Sequence, residues 1–414
     1  MRDTSHIVPA DRRLPTGEFT VMIAMLFATI AFSIDAMLPA LPEIAAELTP
    51  DAVNHAQLIL TAFVLGMGAG TAVAGPISDA TGRKPAIIGG FTLYIAGAVM
   101  AHYAPTIELL LAARVIQGLG AAGPRIVGLA LVRDLYEGRE MARVTSFAMT
   151  IFMIVPAVAP SIGAVIIGLA GWRAVFLAFV VFGLIASLWL GLRQPETLLS
   201  PRRRPLSGRN ILSAAREVLS DRDVRLYTVV MTLGFGQMFA LLSTAQQLFD
   251  VTYGQGADFP KWFALMAAIA ASASLLNAKL VMRVGMRRLA TDAYLWQALS
   301  SAVVLALVLG GIGTGWPGFA VFFLWGSSVF FMAGLTFGNL NALAMEPMGH
   351  VAGMAAAVIG AVSTVLGVVI AIPIGQAFDG TIQPLLIGFA INMLVALGLM
   401  LSNPKARPAP ASAG

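Results

Sequence analysis

The sequence lacks cysteine and holds only four histidines, and both shortages exclude classes of function. Without cysteine there is no disulfide, thiolate metal site or cysteine nucleophile. His6, His55, His102 and His350 are scattered along the chain, so none belongs to the HExxH pair of a zinc enzyme. With no nucleophile–base set and no metal-ligand cluster, the sequence predicts neither an enzyme nor a bound metal or cofactor.

Charged residues are also scarce, which indicates where the chain resides. They make up 11% of 414 residues, whereas soluble domains hold about a quarter. Hydrophobic residues make up 58%, and the mean hydropathy is +0.84. A soluble fold of this length cannot bury so much apolar surface in one core. The net charge of +5 does not indicate nucleic-acid binding, because the basic residues lie between apolar runs.

Twelve apolar runs have the length of a membrane-spanning helix, which needs about 20 residues. They exceed the length of strands and lack period-2 alternation, so we expect an all-α membrane protein. The first run begins near Phe19, outlasts a signal-peptide core and leads into more spans, so it predicts a retained helix. The predicted spans are 19–42, 56–76, 85–103, 107–132, 143–168, 172–192, 226–249, 259–281, 289–310, 317–343, 351–375 and 380–402.

Lysine and arginine predict the orientation. With both termini in the cytoplasm, 22 of the 26 basic residues lie in cytoplasmic segments. The outer loops hold only Arg173 and Lys261, while Arg114 and Arg125 lie within a span. This asymmetry predicts cytoplasmic termini and a multi-pass protein of the bacterial inner membrane.

A polar stretch, which includes Arg202, Arg203 and Arg204, divides six spans from six. Gly82-Arg83-Lys84 after span 2 is echoed by Gly285-Met286-Arg287-Arg288 after span 8, which favours two related halves. The predicted regions are a cytoplasmic N-tail 1–18, a six-helix bundle 19–192, a central cytoplasmic loop 193–225, a second bundle 226–402 and a disordered C-tail 403–414.

Asp35 is the one carboxylate set deep in a predicted span, about two turns from its outer end. Burial in lipid is costly, so we expect the side chain to face the bundle interior. Because removal from water favours the neutral carboxyl, Asp35 is a candidate proton carrier. Arg114 lies at nearly the same depth in span 4, and we hypothesise that the two are coupled. The alternatives are a helix–helix hydrogen bond for Asp35 and a static ion pair that locks spans 1 and 4.

Arg125 follows Arg114 by eleven residues, about three turns or roughly 16 Å along a similar helix face. Two arginines on one face suggest a polar cavity for anionic or zwitterionic groups, and the alternative for Arg125 is snorkelling or pairing with an acid. Gln117, Gln237, Asn339 and Asn341 are polar residues in apolar runs. They are candidates for substrate binding, or for hydrogen bonds between helices.

Residues 75–85 predict the turn between spans 2 and 3, because Gly75, Pro76, Gly82 and Pro85 interrupt helices. Asp79 is placed to cap exposed N–H groups or to pair with Arg83. Arg83 is also expected to reach Asp134 at the end of span 4. We therefore predict a conformational latch, with a solvated turn as the alternative. Its members are Gly75, Asp79, Gly82, Arg83, Lys84 and Asp134.

Proline and glycine mark two further helices. Pro156, Pro160 and Gly163 in span 5 predict a kinked helix that lines a cavity or packs closely, or a tolerated kink without a role. Gly118-Leu-Gly-Ala-Ala-Gly123 matches the dinucleotide pattern GxGxxG, but no strand precedes it. Close helix packing accounts better for these glycines, and for Gly66 and Gly70.

Together these residues resemble the major facilitator superfamily, and within it the Bcr/CflA-like drug:proton antiporters. The resemblance runs through the first half and more weakly through the second. It is carried by five segments: Asp35-x-x-x-Pro39-x-Leu41-Pro42, residues 75–85, Arg114-x-x-Gln117-Gly118, Val132-Arg133-Asp134 and Gly171-Trp172-Arg173.

The resemblance implies alternating access between two six-helix halves, with proton coupling through Asp35 and Arg114. The expected function is proton-driven export of small amphipathic compounds, such as drugs or a metabolite, by a monomer in a lipid bilayer. The alternatives are proton-linked uptake, facilitated diffusion and a non-transporting membrane receptor on the same fold. The sequence does not identify the substrate, because a fold does not imply one.

Overall fold

A computed structural model describes residues 14–198, 201, 203, 205–206 and 208–402. These residues form helices and connecting turns, and no strand occurs among them. Short 3₁₀ segments and one π turn, at Leu248–Thr252, join the helices. The helices are α1 Thr16–Asp35, α2 Leu41–Leu48, α3 Leu58–Thr81, α4 Arg83–His102, α5 Ile107–Leu135, α6 Gly138–Ala170, α7 Arg173–Arg193, α8 Gly208–Ser220, α9 Arg222–Gln247, α10 Phe259–Val284, α11 Met286–Leu309, α12 Gly315–Met345, α13 Ala352–Gln376 and α14 Gln383–Ser402.

Eleven helical stretches of the described residues are long and apolar enough to cross a membrane. One of them, Gly315–Gln376, contains both α12 and α13, which the 3₁₀ segment Glu346–Val351 separates. Counted as separate helices, the stretches correspond to the twelve predicted spans, and most boundaries agree within five residues. The prediction of an all-α membrane protein is confirmed.

The first predicted span, 19–42, was wrong as one continuous helix. Helix α1 ends at Asp35, and the chain continues through a 3₁₀ segment, Leu38–Ala40, into α2. Pro39 has no N–H to donate to the carbonyl four residues before it, which is that of Asp35. The Met37 N–H bonds to the Ile34 carbonyl at 3.3 Å, three residues back, so the regular ladder is already lost there.

The predicted turn over residues 75–85 was also too long. Helix α3 continues through Gly75 and Pro76 to Thr81, because one missing N–H removes a single hydrogen bond. The turn is Gly82 alone, whose φ of 111° suits glycine. Gly285, between α10 and α11, has a φ of 83° and occupies the equivalent place in the second half. The echo seen in the sequence thus corresponds to the same turn in both halves.

Helix packing repeats between the halves, as expected of two pseudo-symmetric bundles. In the first, α5 packs against α3 and α4, α7 packs against α4, and α6 packs against α1. In the second, α12 packs against α10 and α11, α14 against α11, and α13 against α9. Across the interface between the bundles, α3 contacts α13 and α6 contacts α10. A two-fold rotation that exchanges the bundles converts one of these contacts into the other.

The glycines of α5 bring three helices into close contact. A β-carbon at Gly118 would collide with the Phe63 carbonyl of α3, and one at Gly66 would collide with the Val115 carbonyl of α5. Gly120 lies similarly against Tyr94 of α4. The prediction that these glycines serve helix packing, rather than a dinucleotide site, agrees with this geometry.

All hydrogen bonds that the structure describes between the two bundles lie at one end, opposite to the N-terminus of α1. We call this the outer end, following the predicted orientation, and the other the inner end. Asn54 Nδ2 donates to the carbonyls of Gln376 (3.2 Å) and Phe378 (2.7 Å), and Gln376 Nε2 donates to the Asn54 carbonyl at 2.7 Å. Gln57 hydrogen-bonds to Gln247 beside them. The outer ends of the bundles are therefore joined.

The central region 193–225 contains a helix that sequence reasoning missed. Helix α8 is amphipathic, and the carboxylate of its Glu217 contacts His350 Nε2 at 2.7 Å. The loop therefore contacts the inner end of the second bundle. The predicted disordered tail 403–414, most of the N-tail, and Arg202 and Arg204 lie outside the described residues.

Single cysteines test the orientation directly, because the chain has none of its own. Asp51 and Ser220 are both exposed, at the outer and inner ends respectively. We expect a membrane-impermeant maleimide to label Asp51→Cys in intact cells and Ser220→Cys only after permeabilisation. The reverse labelling pattern would place the termini outside.

Candidate functional site

Asp35 lies at the break that ends α1, inside the first bundle. Its side chain is 5% exposed, and within the described part of the chain it makes no hydrogen bond or ion pair. Ala24, Ala28 and Ala31 lie on the same face of α1, at helical spacing towards the inner end. All three alanines are buried, so other helices pack against this face between the carboxyl and the inner end.

Arg114 is fully buried and binds three neutral oxygens. Its Nε donates to the Ile59 carbonyl at 3.3 Å, one terminal nitrogen to the Ser33 carbonyl at 3.0 Å, and the other to Gln117 Oε1 at 2.6 Å. The guanidinium also stacks over the Phe63 ring, 4.4 Å from its centre. One side chain of α5 thus links α1 and α3 through their backbones.

The break in α1 makes the Arg114 contact possible. In a regular helix the Ser33 carbonyl accepts the N–H of Met37. Here that N–H bonds to Ile34, so the Ser33 carbonyl is available to the guanidinium. The backbone from Ser33 to Met37, which surrounds Asp35, is therefore irregular. Pro39 on the same segment and Arg114 from α5 both stabilise it.

Sequence reasoning missed Ser33 and Tyr94 as parts of this site. The Ser33 hydroxyl donates to the Thr29 carbonyl at 2.6 Å. It also lies 2.7 Å from the hydroxyl of Tyr94, a fully buried side chain of α4. A buried tyrosine usually finds a hydrogen-bond partner, which was the available signal. Gln117, the candidate for substrate binding, instead orients Arg114, and its Nε2 has no partner in the structure.

Asp35 and Arg114 do not form the static ion pair considered as an alternative. No salt bridge joins them among the described residues, and Arg114 contacts the backbone of Ser33 instead. The Arg114 guanidinium therefore has no direct anionic partner among the described residues, although Ser33, whose carbonyl it binds, is two positions before Asp35 in the sequence.

Gly163 brings helix α6 against the break in α1. A β-carbon at Gly163 would collide with the carbonyl of Ala36, the residue after Asp35. Pro156 and Pro160 lie within α6, which continues as a helix from Gly138 to Ala170. Gly163 therefore allows α6 to pack closely against α1 next to Asp35.

Three of the other polar candidates differ in their surroundings. Gln237 Nε2 donates to the Phe389 carbonyl of α14 at 3.3 Å, and Asn339 Nδ2 donates to Asn277 Oδ1 of α10 at 2.7 Å. Both contacts favour the alternative of hydrogen bonds between helices. Among the residues that the structure describes, the Asn341 side chain forms a hydrogen bond only to Met345 of its own helix, at 3.7 Å from Nδ2 to Sδ.

Arg125 differs from Arg114, because its side chain is exposed. It forms no hydrogen bond or ion pair with any described residue. Arg125 lies ten residues before the end of α5, about 15 Å from the inner end of this helix. Helix α5 thus carries two different arginines: the guanidinium of Arg114 is hydrogen-bonded, and that of Arg125 has no partner among the described residues.

Arg83 is the centre of a charged network at the inner end of the first bundle. Its guanidinium contacts Asp79 at 2.6 Å, Asp134 at 3.0 Å and the Ser78 hydroxyl at 2.9 Å. The contacts expected between Arg83 and both aspartates are present. The Lys84 ammonium forms no hydrogen bond or ion pair within the described chain, and Gly75 lies within α3 rather than in the turn.

Glu196, after α7, is a member of this network that sequence reasoning missed. Its carboxylate accepts the N–H groups of Arg83 at 2.9 Å and Lys84 at 3.0 Å. Glu196 thus caps the N-terminus of α4, a role considered for Asp79. An anion at this position also interacts favourably with the helix dipole. Thr197 donates to Asp134 Oδ2 at 2.8 Å, so the network joins α3, α4, α5 and the segment after α7.

Comparisons with known proteins agree with this architecture. A model of the Major Facilitator Superfamily matches residues 21–372. The "Uncharacterized MFS-type transporter YdgK" of Bacillus subtilis is 29% identical, over 87% of this chain and 90% of its own. The "Bicyclomycin resistance protein homolog" of Haemophilus influenzae is 28% identical, over 92% and 94%. The "Chloramphenicol resistance protein" of Pseudomonas aeruginosa is 31% identical over 72% of each chain.

Solved structures share the fold at low sequence identity. The xylose transporter XylE of E. coli, in a partially occluded inward-open conformation, superposes with a TM-score of 0.71. It is 13% identical, over 94% of this chain and 98% of its own. The human organic anion transporter MFSD10 superposes with a TM-score of 0.63 at 17% identity, over 94% and 100%.

The Glu196 cap is testable by stability. Glu196→Ala leaves the first N–H groups of α4 without their acceptor, which costs about 1 kcal/mol. We expect the melting temperature of the purified protein to fall by about 1–2 °C. Glu137→Ala is the control, because Glu137 is exposed and its side chain forms no hydrogen bond in the structure. Equal melting temperatures for the two variants would refute the capping role.

Proposed function

Because the chain belongs to the Major Facilitator Superfamily, we propose that it is a proton-coupled transporter that exports small amphipathic compounds. It is a multi-pass bacterial inner-membrane protein and a transporter rather than an enzyme. The observation that carries the proposal is Asp35: a carboxyl at a helix break, 5% exposed and without a described partner. Ionisable side chains in such positions mark ion pathways and proton relays.

Proton exchange at Asp35 supplies the coupling. In the neutral state the buried carboxyl carries no charge into the apolar surroundings. When it loses its proton, the carboxylate is costly to keep buried without a partner. Proton exchange at Asp35 therefore favours a change in how the helices enclose it, as a proton-coupled carrier requires.

Alternating access follows from the two bundles and their joined outer ends. With the Asn54–Gln376 contacts formed, the outer side is closed and the described structure corresponds to an inward-facing state. Substrate binds from the cytoplasm and the Asp35 proton leaves on that side. After the bundles rock, a proton from outside binds Asp35 and the substrate is released there. The Arg83 network is the proposed latch: its ion pairs are formed in this state and break in another state of the cycle.

The relatives suggest the first compounds to test. Proteins named for bicyclomycin, chloramphenicol and multidrug resistance are similar to this chain over half or more of its length. Export of such compounds requires a largely apolar cavity with a few polar side chains that orient the ligand.

Replacement of Asp35 by Asn tests the proton role. Asn has nearly the same size but cannot exchange a proton. In energised everted vesicles, adding a transported compound to the wild type is expected to collapse part of the pH gradient, which a fluorescent amine reports. Chloramphenicol and bicyclomycin are the first probes. We expect Asp35→Asn to abolish this response.

The control for this experiment is Asp51→Asn, the same change at an exposed residue of the outer end. It should leave the response intact. Full proton-driven transport by Asp35→Asn would remove Asp35 from the mechanism. Flux of the compound without any proton movement in the wild type would indicate facilitated diffusion.

A further inference from the structure

We propose that Arg125 binds an anionic group of the substrate, so that compounds bearing a carboxylate, sulfonate or phosphate are preferred. The inference rests on the proposed transport function, whose substrate class it specifies. It assigns Arg125 as a specificity-determining residue in the inner half of the transport cavity. Three observations on the structure lead to it.

The first observation is the direction in which Arg125 projects. Gly118 of α5 packs against Phe63 of α3, and Gly128 packs against Leu26 and Phe27 of α1. At about 100° per residue, Arg125 projects roughly 20° from Gly118 and roughly 60° from Gly128, between the two. Arg125 therefore points between α1 and α3, towards the interior that the two bundles enclose.

The second observation is that the Arg125 side chain is accessible. It is exposed, whereas Pro124, Val127 and Gly128 beside it are buried. Because Arg125 projects between α1 and α3, we infer that its accessible surface faces the space between helices rather than the lipid.

The third observation is that its positive charge is uncompensated. Among the acids at the inner side of the first bundle, Glu18 pairs with Arg193, and Asp79 and Asp134 pair with Arg83. Glu137 and Glu140 are exposed at the start of α6. Arg125 contacts none of them.

An uncompensated guanidinium inside a span is costly, and such residues mark substrate or ion pathways. Its fork of N–H donors fits carboxylate and phosphate oxygens in pairs. Arg114 cannot serve this purpose, because it is fully buried and each of its three nitrogens already donates to Ser33, Ile59 or Gln117. The free donors of Arg125 are thus available to an anionic ligand that enters from the inner side.

Matched fluorescent dyes test the proposal on the purified full-length protein. Dansylglycine carries a carboxylate, whereas dansylamide of similar size is neutral. Dansylglycine can accept a charge-assisted hydrogen bond from Arg125, and dansylamide cannot. We therefore expect wild-type protein to bind dansylglycine about 10-fold more tightly than dansylamide. Arg125→Gln should lose this preference while its affinity for dansylamide stays within about 2-fold of wild type. Arg125→Lys, which keeps the charge, should retain part of the preference.

Arg133→Gln is the matched control, since Arg133 is an exposed arginine of the same helix near its inner end. It should bind both dyes as the wild type does, and melting temperatures should show that all variants are folded. Equal binding of the two dyes by wild type, no binding of either, or parallel changes in Arg125→Gln and Arg133→Gln would overturn the proposal. A dye preference that persists in Asp35→Asn, without proton coupling, would separate this site from the transport function.

Discussion

A buried guanidinium that binds backbone carbonyls is the interaction on which the first bundle depends. Arg114 of α5 reaches Ser33 in α1 and Ile59 in α3, and the stacked Phe63 ring excludes water from it. Glycines such as Gly118 allow the helices to approach closely enough for these bonds. Three helices are therefore held together at one point, deep in the membrane, where backbone hydrogen bonds cannot be exchanged for water.

The same interaction determines where the titratable carboxyl lies. The Ser33 carbonyl binds Arg114 because the ladder of α1 is interrupted, and Pro39 maintains that interruption. Asp35 is the residue at the interruption, and the α6 backbone packs beside it at Gly163. A change in the charge of this carboxyl would act on a segment that contacts α5 and α6. In the proposed mechanism this contact links proton occupancy to movement of the bundles.

The spans and their order could be predicted from sequence because apolar length is a local property of each run. The break at Asp35 could not, since it depends on Pro39 together with Arg114 from a distant helix. The Arg83 pairs were predictable from the charged turn, whereas the Glu196 cap comes from a segment 113 residues away. For Asn339 the sequence left substrate binding and helix pairing open, and only the position of Asn277 favours the second.

Proton release on substrate binding is the measurement that tests the central claim most directly. Purified protein in weakly buffered solution near neutral pH is mixed with a compound shown to be transported, and an indicator dye reports protons. The account predicts that the wild type releases protons on binding, and that Asp35→Asn binds the compound without releasing any. Equal proton release from both proteins would contradict it.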